Sequence, residues 1–350
     1  MNNWIYTKEK KWIDKWNDFM LSDESSSFVQ SIYRVKAYEK YGMDWELLLC
    51  VDESDTIQVG SANVIVTLPF FKLYVCSYGP TMSSNIKTIF DSNEFIKQFI
   101  NRGKELRAFS SQITIPMDLL VDASFKSIEG RIFTNISNPR YSNLINLKLN
   151  EDWLSKEELI NSFLPRGRRD VRASCRKGLV SQCPTTEDEL KQAYLCFETN
   201  AKKKGYHVRS WEDMRDFVIE SVQNKTAFVI SAWYNDTIQG AIFLERSSNV
   251  LSYTMGGVYR NSPDLLTGYF LQLEGMLLAR SMDLSFYDIS YGGPDEVQRF
   301  KSMFNPVLKE SYRTVYFKNN NIKFFIFKKV YSSFKSLIPK IISIKRAIIS

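Results

Sequence analysis

The strongest constraint on the fold is an internal repeat. Strand-forming runs at Trp45–Val51, Ile57–Thr67 and Leu73–Ser77 lead into a helix pattern from about 93 to 103 and a further strand over Arg107–Ile115. Runs at Thr226–Tyr234, Ile238–Arg246 and Val250–Val258, a helix over Asp264–Arg280 and a strand over Leu284–Ile289 repeat that order. The strands are rich in β-branched and aromatic residues and are bounded by turn signals such as Glu53-Ser54-Asp55 and Asn235-Asp236. The first helix puts Phe95, Phe99 and Ile100 on one face. A unit of three strands, a helix and a fourth strand buries one face of a mixed sheet beneath helices. Two of them in one chain predict an α/β (α+β) fold of two tandem copies. Coincidence among common elements is the competing reading. With 350 residues, each copy can hold its own core. The expected division is a first unit at 1–160, a second at 161–318 with Tyr312–Lys318 as its edge, and a tail at 319–350.

Composition narrows the chemistry. The only histidine, His207, sits on no nucleophile motif, so proton work falls to carboxylates, lysines, backbone amides or the substrate. Cys50, Cys76, Cys175, Cys183 and Cys196 form no C-x-x-C pair. Buried thiols in a reducing compartment are expected, with no zinc or other metal site. The charged, aromatic N-terminus has no apolar signal core, and no apolar run reaches the ~18 residues of a membrane span. A cytoplasmic location is expected.

Three stretches carry candidate chemistry. Asp283–Phe304 reads as a short buried strand, a Gly292-Gly293-Pro294 turn and a helix that returns Lys301 beside Phe300 to the mouth of the strand. Such a lysine suits an oxyanion or a phosphate, although an ordinary strand–turn–helix with a solvated lysine has the same pattern. Leu164–Val180 carries Arg166, Arg168, Arg169, Arg172, Arg176 and Lys177 against Asp170 alone. On a helix Arg168, Arg172 and Arg176 share a face, and Gly178 is a natural stop. Guanidinium groups in a row fit phosphate contact; a solvated basic face is the plainer reading. Residues 319–350 hold seven basic residues and no acid, which equals the whole formal charge of +7. Their phenylalanines and isoleucines alternate with lysines, as in a segment lying on an anionic bilayer; packing of Ile322–Lys328 on the second unit fits equally. Thr186 and Glu189 form a capping box that opens a helix to about Lys204, and Ser210 opens another to Gln223.

Taken together, these parts resemble the Fem-type aminoacyl transferases of peptidoglycan bridge synthesis, tandem domains of the GNAT acyltransferase fold. The resemblance is carried by Gln30-Ser31, Tyr78-Gly79-Pro80, the basic helix Arg166–Gly178, Tyr287-Asp288 and Phe300-Lys301-x-x-Phe304. It runs to about Lys318. It implies transfer of an amino acid from a charged tRNA to an amine of a muropeptide precursor by direct attack. Lys301, following Phe300, would stabilise the transferred acyl group. Tyr287 and Asp288 would line the acceptor site, Arg168, Arg172 and Arg176 would sit near donor or acceptor phosphates, and Lys36 is the nearest candidate for a lysine that holds the precursor's diphosphate. The implied partners are a lipid- or nucleotide-linked envelope glycan precursor, tRNA and the inner face of the membrane.

The chain departs from that family in three places. Asn305 stands where glycine usually follows the last phenylalanine, Ile289-Ser290-Tyr291 lengthens the turn before the glycines, and no long helical arm is visible. No tightly bound cofactor is implied; the donor is aminoacyl-tRNA or acyl-CoA. A CoA diphosphate would meet the loop Tyr259–Asp264, where Pro263 lacks an N–H and Asp264 repels an anion, which argues for tRNA. The alternatives are an acyl-CoA-dependent N-acyltransferase of an amino sugar in O-antigen or capsule synthesis, and a non-catalytic nucleic-acid or membrane-surface binding protein.

Overall fold

Every strand-forming run of the repeat is a strand in the computed structural model, which describes residues 3–22, 26–83, 92–134, 136, 141–259, 263–310 and 312–334. The first sheet runs, in spatial order, Asn3–Thr7, Asp44–Val51, Ile57–Thr67, Lys72–Cys76, Ser110–Pro116, Tyr312–Lys318 and Ile128–Glu129. The second runs Val180–Gln182, Ala227–Tyr234, Thr237–Arg246, Val250–Val258, Phe286–Asp288, Tyr141–Asn146 and Val307–Glu310. Neighbours along each path are antiparallel except at one place. Lys72–Cys76 is parallel to Ser110–Pro116, and Val250–Val258 is parallel to Phe286–Asp288.

A parallel pair cannot be joined by a tight turn, and in both sheets the crossover is a helix. Ser92–Glu105 makes the first crossing and buries Phe95, Ile96, Phe99 and Ile100, with Phe99 stacked on Tyr74 at 4.8 Å. Thr267–Ser281 makes the second and buries Phe270, Leu271, Leu273, Met276 and Ala279. The helices expected from capping signals are also present. Glu187–Lys204 opens on a complete Thr186–Glu189 capping box and closes on Gly205 in the left-handed region; Trp211–Gln223 follows Ser210.

The division between units differs from the expected one. One unit comprises residues 1–140 with 311–350, the other residues 141–310, so the boundaries move from 160/161 to 140/141 and from 318/319 to 310/311. Strand exchange is the cause. Tyr312–Lys318, expected as an edge of the second copy, lies inside the first sheet on Ser110–Pro116, with Thr314 and Thr114 hydroxyls 3.0 Å apart. Tyr141–Asn146 takes the corresponding place in the second sheet, between Phe286–Asp288 and Val307–Glu310. The tail is corrected too. Its first part is a helix, Asn321–Phe334, which seats Phe327 on Phe109 and Phe71 at ring distances of 4.5 and 5.2 Å and so joins the core of the first unit. Asn3–Thr7, unforeseen in the sequence, pairs with Asp44–Val51. The middle of the Tyr259–Asp264 loop and residues 335–350 lie outside the described residues.

The sheets press closely on their helices. A Cβ at Gly257 would stand 2.2 Å from the backbone carbonyl oxygen of Cys196, in the helix Glu187–Lys204. Gly257→Ala is therefore expected to cost about 1–3 kcal/mol, because backbone rather than a side-chain tip must yield. Chemical denaturation measures this, and an unchanged midpoint would contradict the close contact.

Candidate functional site

In the second sheet the parallel ladder is short. It pairs Val250, Leu251 and Ser252 with Phe286, Tyr287 and Asp288 and then stops. Two residues later the Val250–Val258 strand skips Thr254 in its register with Thr237–Arg246, and a bulge of this kind bends its strand. The strands thus part at their carboxyl ends, where open α/β sheets form ligand crevices. Asp288 is the last residue of its strand, so it stands at that opening.

Asp288 is buried. One carboxylate oxygen accepts the backbone N–H groups of Asn143 at 3.0 Å and Ser290 at 2.8 Å. Burial raises its pKa to about 6, against the pull of those two amides and of Lys301. The chain then turns through Ser290, a non-glycine residue in the left-handed region at φ +60°, and through Gly292 and Gly293. The helix Asp295–Ser302 follows, and its Lys301 is buried. Lys301 Nζ donates to Ser290 Oγ at 2.7 Å and to the Gly292 carbonyl at 3.2 Å. It also lies 5.8 Å from the centre of the Tyr253 ring. Burial lowers its pKa to about 8, and the charge on Asp288 works in the opposite direction. A carboxyl group that titrates near 6 and an amine near 8 bracket neutral pH, as groups at reactive sites often do. Two of the three ammonium N–H groups are used within the turn, and the third has no partner among the described residues.

The other expected residues fall into distinct places. Phe300 is a packing residue: its ring meets Tyr269 at 5.0 Å and Phe304 at 5.4 Å, which fixes the face of the helix that presents Lys301. Tyr287 is fully buried, with its hydroxyl donating to Gln272 at 2.7 Å. Its expected place in the acceptor site is thereby corrected to a core role beneath Asp288. The arginine helix spans Pro165–Cys175, with Arg176 as its C-cap and Gly178 in the left-handed region at φ +77°. Arg172 bonds Glu157 and Asn161, both at 2.8 Å, and Arg168 reaches the Asn161 carbonyl at 3.4 Å. Arg166 and Arg169 share Asp170, and Arg176 is exposed. The stripe is therefore partly neutralised by its own neighbours.

The start of that helix abuts the end of the lysine helix. Leu164 N–H donates to the Met303 carbonyl at 3.1 Å, and a Cβ at Gly167 would stand 2.2 Å from the same oxygen. Lys36 belongs to the other unit, at the end of the short helix Ile32–Lys36. Six residues before it Gln30 is buried, its side chain accepting from Ala62 N–H at 2.6 Å and donating to the Ser77 carbonyl at 2.9 Å. Sequence reasoning missed Ser290, Asn143 and Tyr253. Only the first had a signal, the lengthened turn after Asp288.

No family model matches the sequence, and no curated protein matches it. Among solved structures the chain is similar to FemX, with a TM-score of 0.74 at 14% identity over 94% of this chain and 99% of that one. It is also similar to a conserved protein of unknown function from Bacteroides thetaiotaomicron, TM-score 0.58, 8% identical, over 89% and 99% of the two chains. L-PGS from Bacillus licheniformis gives a TM-score of 0.56 at 9% identity over 89% and 93%. The fold is the tandem GNAT-like one that the Fem-type resemblance implied.

One departure from the Fem-type pattern has a local explanation. Asn305 adopts φ +53°, a region glycine enters freely and asparagine tolerates, and its side chain donates to the Ser162 carbonyl at 3.1 Å. Asn305→Ala is expected to lose about 1–2 kcal/mol of stability and Asn305→Gly less. Equal losses in denaturant melts would refute the conformational argument.

Proposed function

We propose that this chain is an acyltransferase that moves an aminoacyl group onto an amine of a cell-envelope precursor by direct attack. The observation that carries the reading is Lys301, a buried ammonium held by Ser290 and Gly292 at the carboxyl ends of the parallel strands, with one N–H left to point at a reacting oxygen. The fold shared with FemX and the Fem-type order of residues supply the reaction class. The acceptor amine, deprotonated, attacks the ester carbonyl carbon of the donor. A C–N bond forms, and Lys301 with nearby backbone N–H groups stabilises the tetrahedral oxyanion. The C–O bond then breaks, and the proton lost by the attacking nitrogen ends on the leaving hydroxyl. Asp288 keeps a negative charge beside Lys301 and so keeps it protonated near neutral pH. Phe300 acts through packing, as a positioning residue. Arg168, Arg172 and Arg176 are assigned to donor or acceptor phosphates, and Lys36 to the acceptor's diphosphate.

Aminoacyl-tRNA is the proposed donor. Asp264 Oδ1 accepts the Leu266 N–H at 2.9 Å, one residue before the helix at Thr267. A carboxylate therefore occupies the helix entrance where an acyl-CoA diphosphate would need positive potential. Among the described residues no helix is long and apolar enough to cross a membrane. The proposal puts the enzyme in the cytoplasm, in peripheral contact with the inner face of the membrane, where lipid-linked precursors expose their amines.

The deciding experiment offers purified protein either a labelled aminoacyl-tRNA pool or labelled acyl-CoA, with envelope precursors as acceptors. Label transferred from tRNA is expected. Transfer from CoA alone would reassign the chain to N-acylation of an amino sugar, and transfer from neither would overturn the enzyme reading.

Two further outcomes test the residues. Lys301→Met is expected to lower turnover by about two or more orders of magnitude with the fold intact. The pH profile of native turnover is expected to have an alkaline limb near 8, as Lys301 loses its proton. Asp288→Asn should move that limb to lower pH, because the charge that raises the Lys301 pKa is gone, and the residual rate of Lys301→Met should lack the limb. An alkaline limb unmoved in both variants would reject these assignments.

A further inference from the structure

The helix Asn321–Phe334 has two apolar faces. Phe324 and Phe327 point into the first unit, against Phe109. Ile322, Phe325 and Ile326, at helical spacings of three and four, lie on the opposite side and are 75%, 61% and 46% exposed. A helix that only covered a core would carry polar residues there. Lys323 and Lys328 flank the outward stripe and are exposed, and Lys329 stands 5.0 Å over the Phe325 ring. No acid occurs anywhere from Asn319 onward.

We infer that this surface of the first unit, made of Ile322, Phe325 and Ile326 beside Lys323, Lys328 and Lys329, docks on an anionic lipid bilayer. Exposed aromatic and branched side chains set among cations match the boundary between acyl chains and acidic headgroups. The rings enter the boundary and the ammonium groups stay at phosphate depth. A protein partner would be expected to meet both signs of charge, and the helix Asn321–Phe334 offers only positive ones. The inference rests on the proposed function for the identity of the membrane, the one that carries the lipid-linked acceptor. It differs from a tail anchor, because the docking groups belong to the folded unit.

The test is sedimentation of the full chain with vesicles of equal parts phosphatidylglycerol and phosphatidylcholine, and with phosphatidylcholine alone. Native protein is expected to sediment with the anionic vesicles and to be released by salt. Phe325→Ser with Ile326→Ser should weaken binding by about tenfold or more while thermal melts stay native, since these side chains are exposed. A chain ending at residue 334 should still bind. Undiminished binding of the double variant would overturn the proposal, as would complete loss on truncation alone or equal binding to neutral vesicles. A native dimer that the double variant dissociates, with no vesicle binding by either, would assign the surface to a second copy instead. None of these readouts measures transfer, so failure here and failure of the enzymatic reading are separable.

Discussion

The single parallel strand pair in each sheet is the constraint from which the rest follows. Parallel neighbours need a long crossover, and the chain supplies one helix for each, Ser92–Glu105 and Thr267–Ser281. In the second unit the pair is only three residues long, because the bulge at Thr254 turns its strand away beyond Ser252. That divergence leaves the carboxyl end of Phe286–Asp288 without a neighbour on one side. A carboxylate stands at that end, followed by a turn that holds a lysine.

Holding Asp288 and Lys301 there is costly, because burial disfavours either charge. The structure offsets the cost with short-range polar contacts. Asn143 and Ser290 amides face the carboxylate, and the Ser290 hydroxyl and Gly292 carbonyl face the ammonium. Ser290 serves both groups at once through backbone and side chain, which requires its left-handed conformation. The remaining destabilisation appears as pKa values displaced toward neutrality, which is what general acid–base and oxyanion chemistry near pH 7 needs. The packing behind the site is correspondingly rigid. Phe163, Tyr269, Phe300 and Phe304 interlock, and Gly167 lets the arginine helix close on Met303.

Much of the fold was legible because strand runs and capping signals are local. The Thr186 box, the Ser210 start and the alternation in Ile238–Arg246 each report on a few neighbouring residues. Strand partners are not local, so Tyr312–Lys318 read correctly as a strand and wrongly as an edge of the second sheet. Its partner Ser110–Pro116 lies about two hundred residues earlier, and alternation says nothing about that distance. The site shows the same split. Lys301 and Asp288 stood out by residue type and turn chemistry. Tyr287 shared the motif but faces the core, since successive strand residues point to opposite sides. Tyr253 is set by a bulge in a strand thirty residues upstream, for which no local signal exists. The arginine stripe was visible as charge, but the pairing of its Arg172 with Glu157, fifteen residues earlier, has no local signal.

The two copies end their parallel pairs in different ways. In the first unit the parallel pair also ends early, at Cys76 and Ile113. There the chain closes the opening with its own backbone. Gly79 N–H donates to the Thr114 carbonyl at 2.9 Å, and Gln30 bridges Ala62 and Ser77, satisfying the groups that the ended ladder leaves unpaired. Tyr78 and Ser77 are buried in that turn. The Gln30-Ser31 and Tyr78-Gly79-Pro80 segments, which helped to mark the Fem-type resemblance, lie at this ladder end. The second copy meets the same geometric problem differently: past the Thr254 bulge, Asp288 and Lys301 each bond the turn through Ser290.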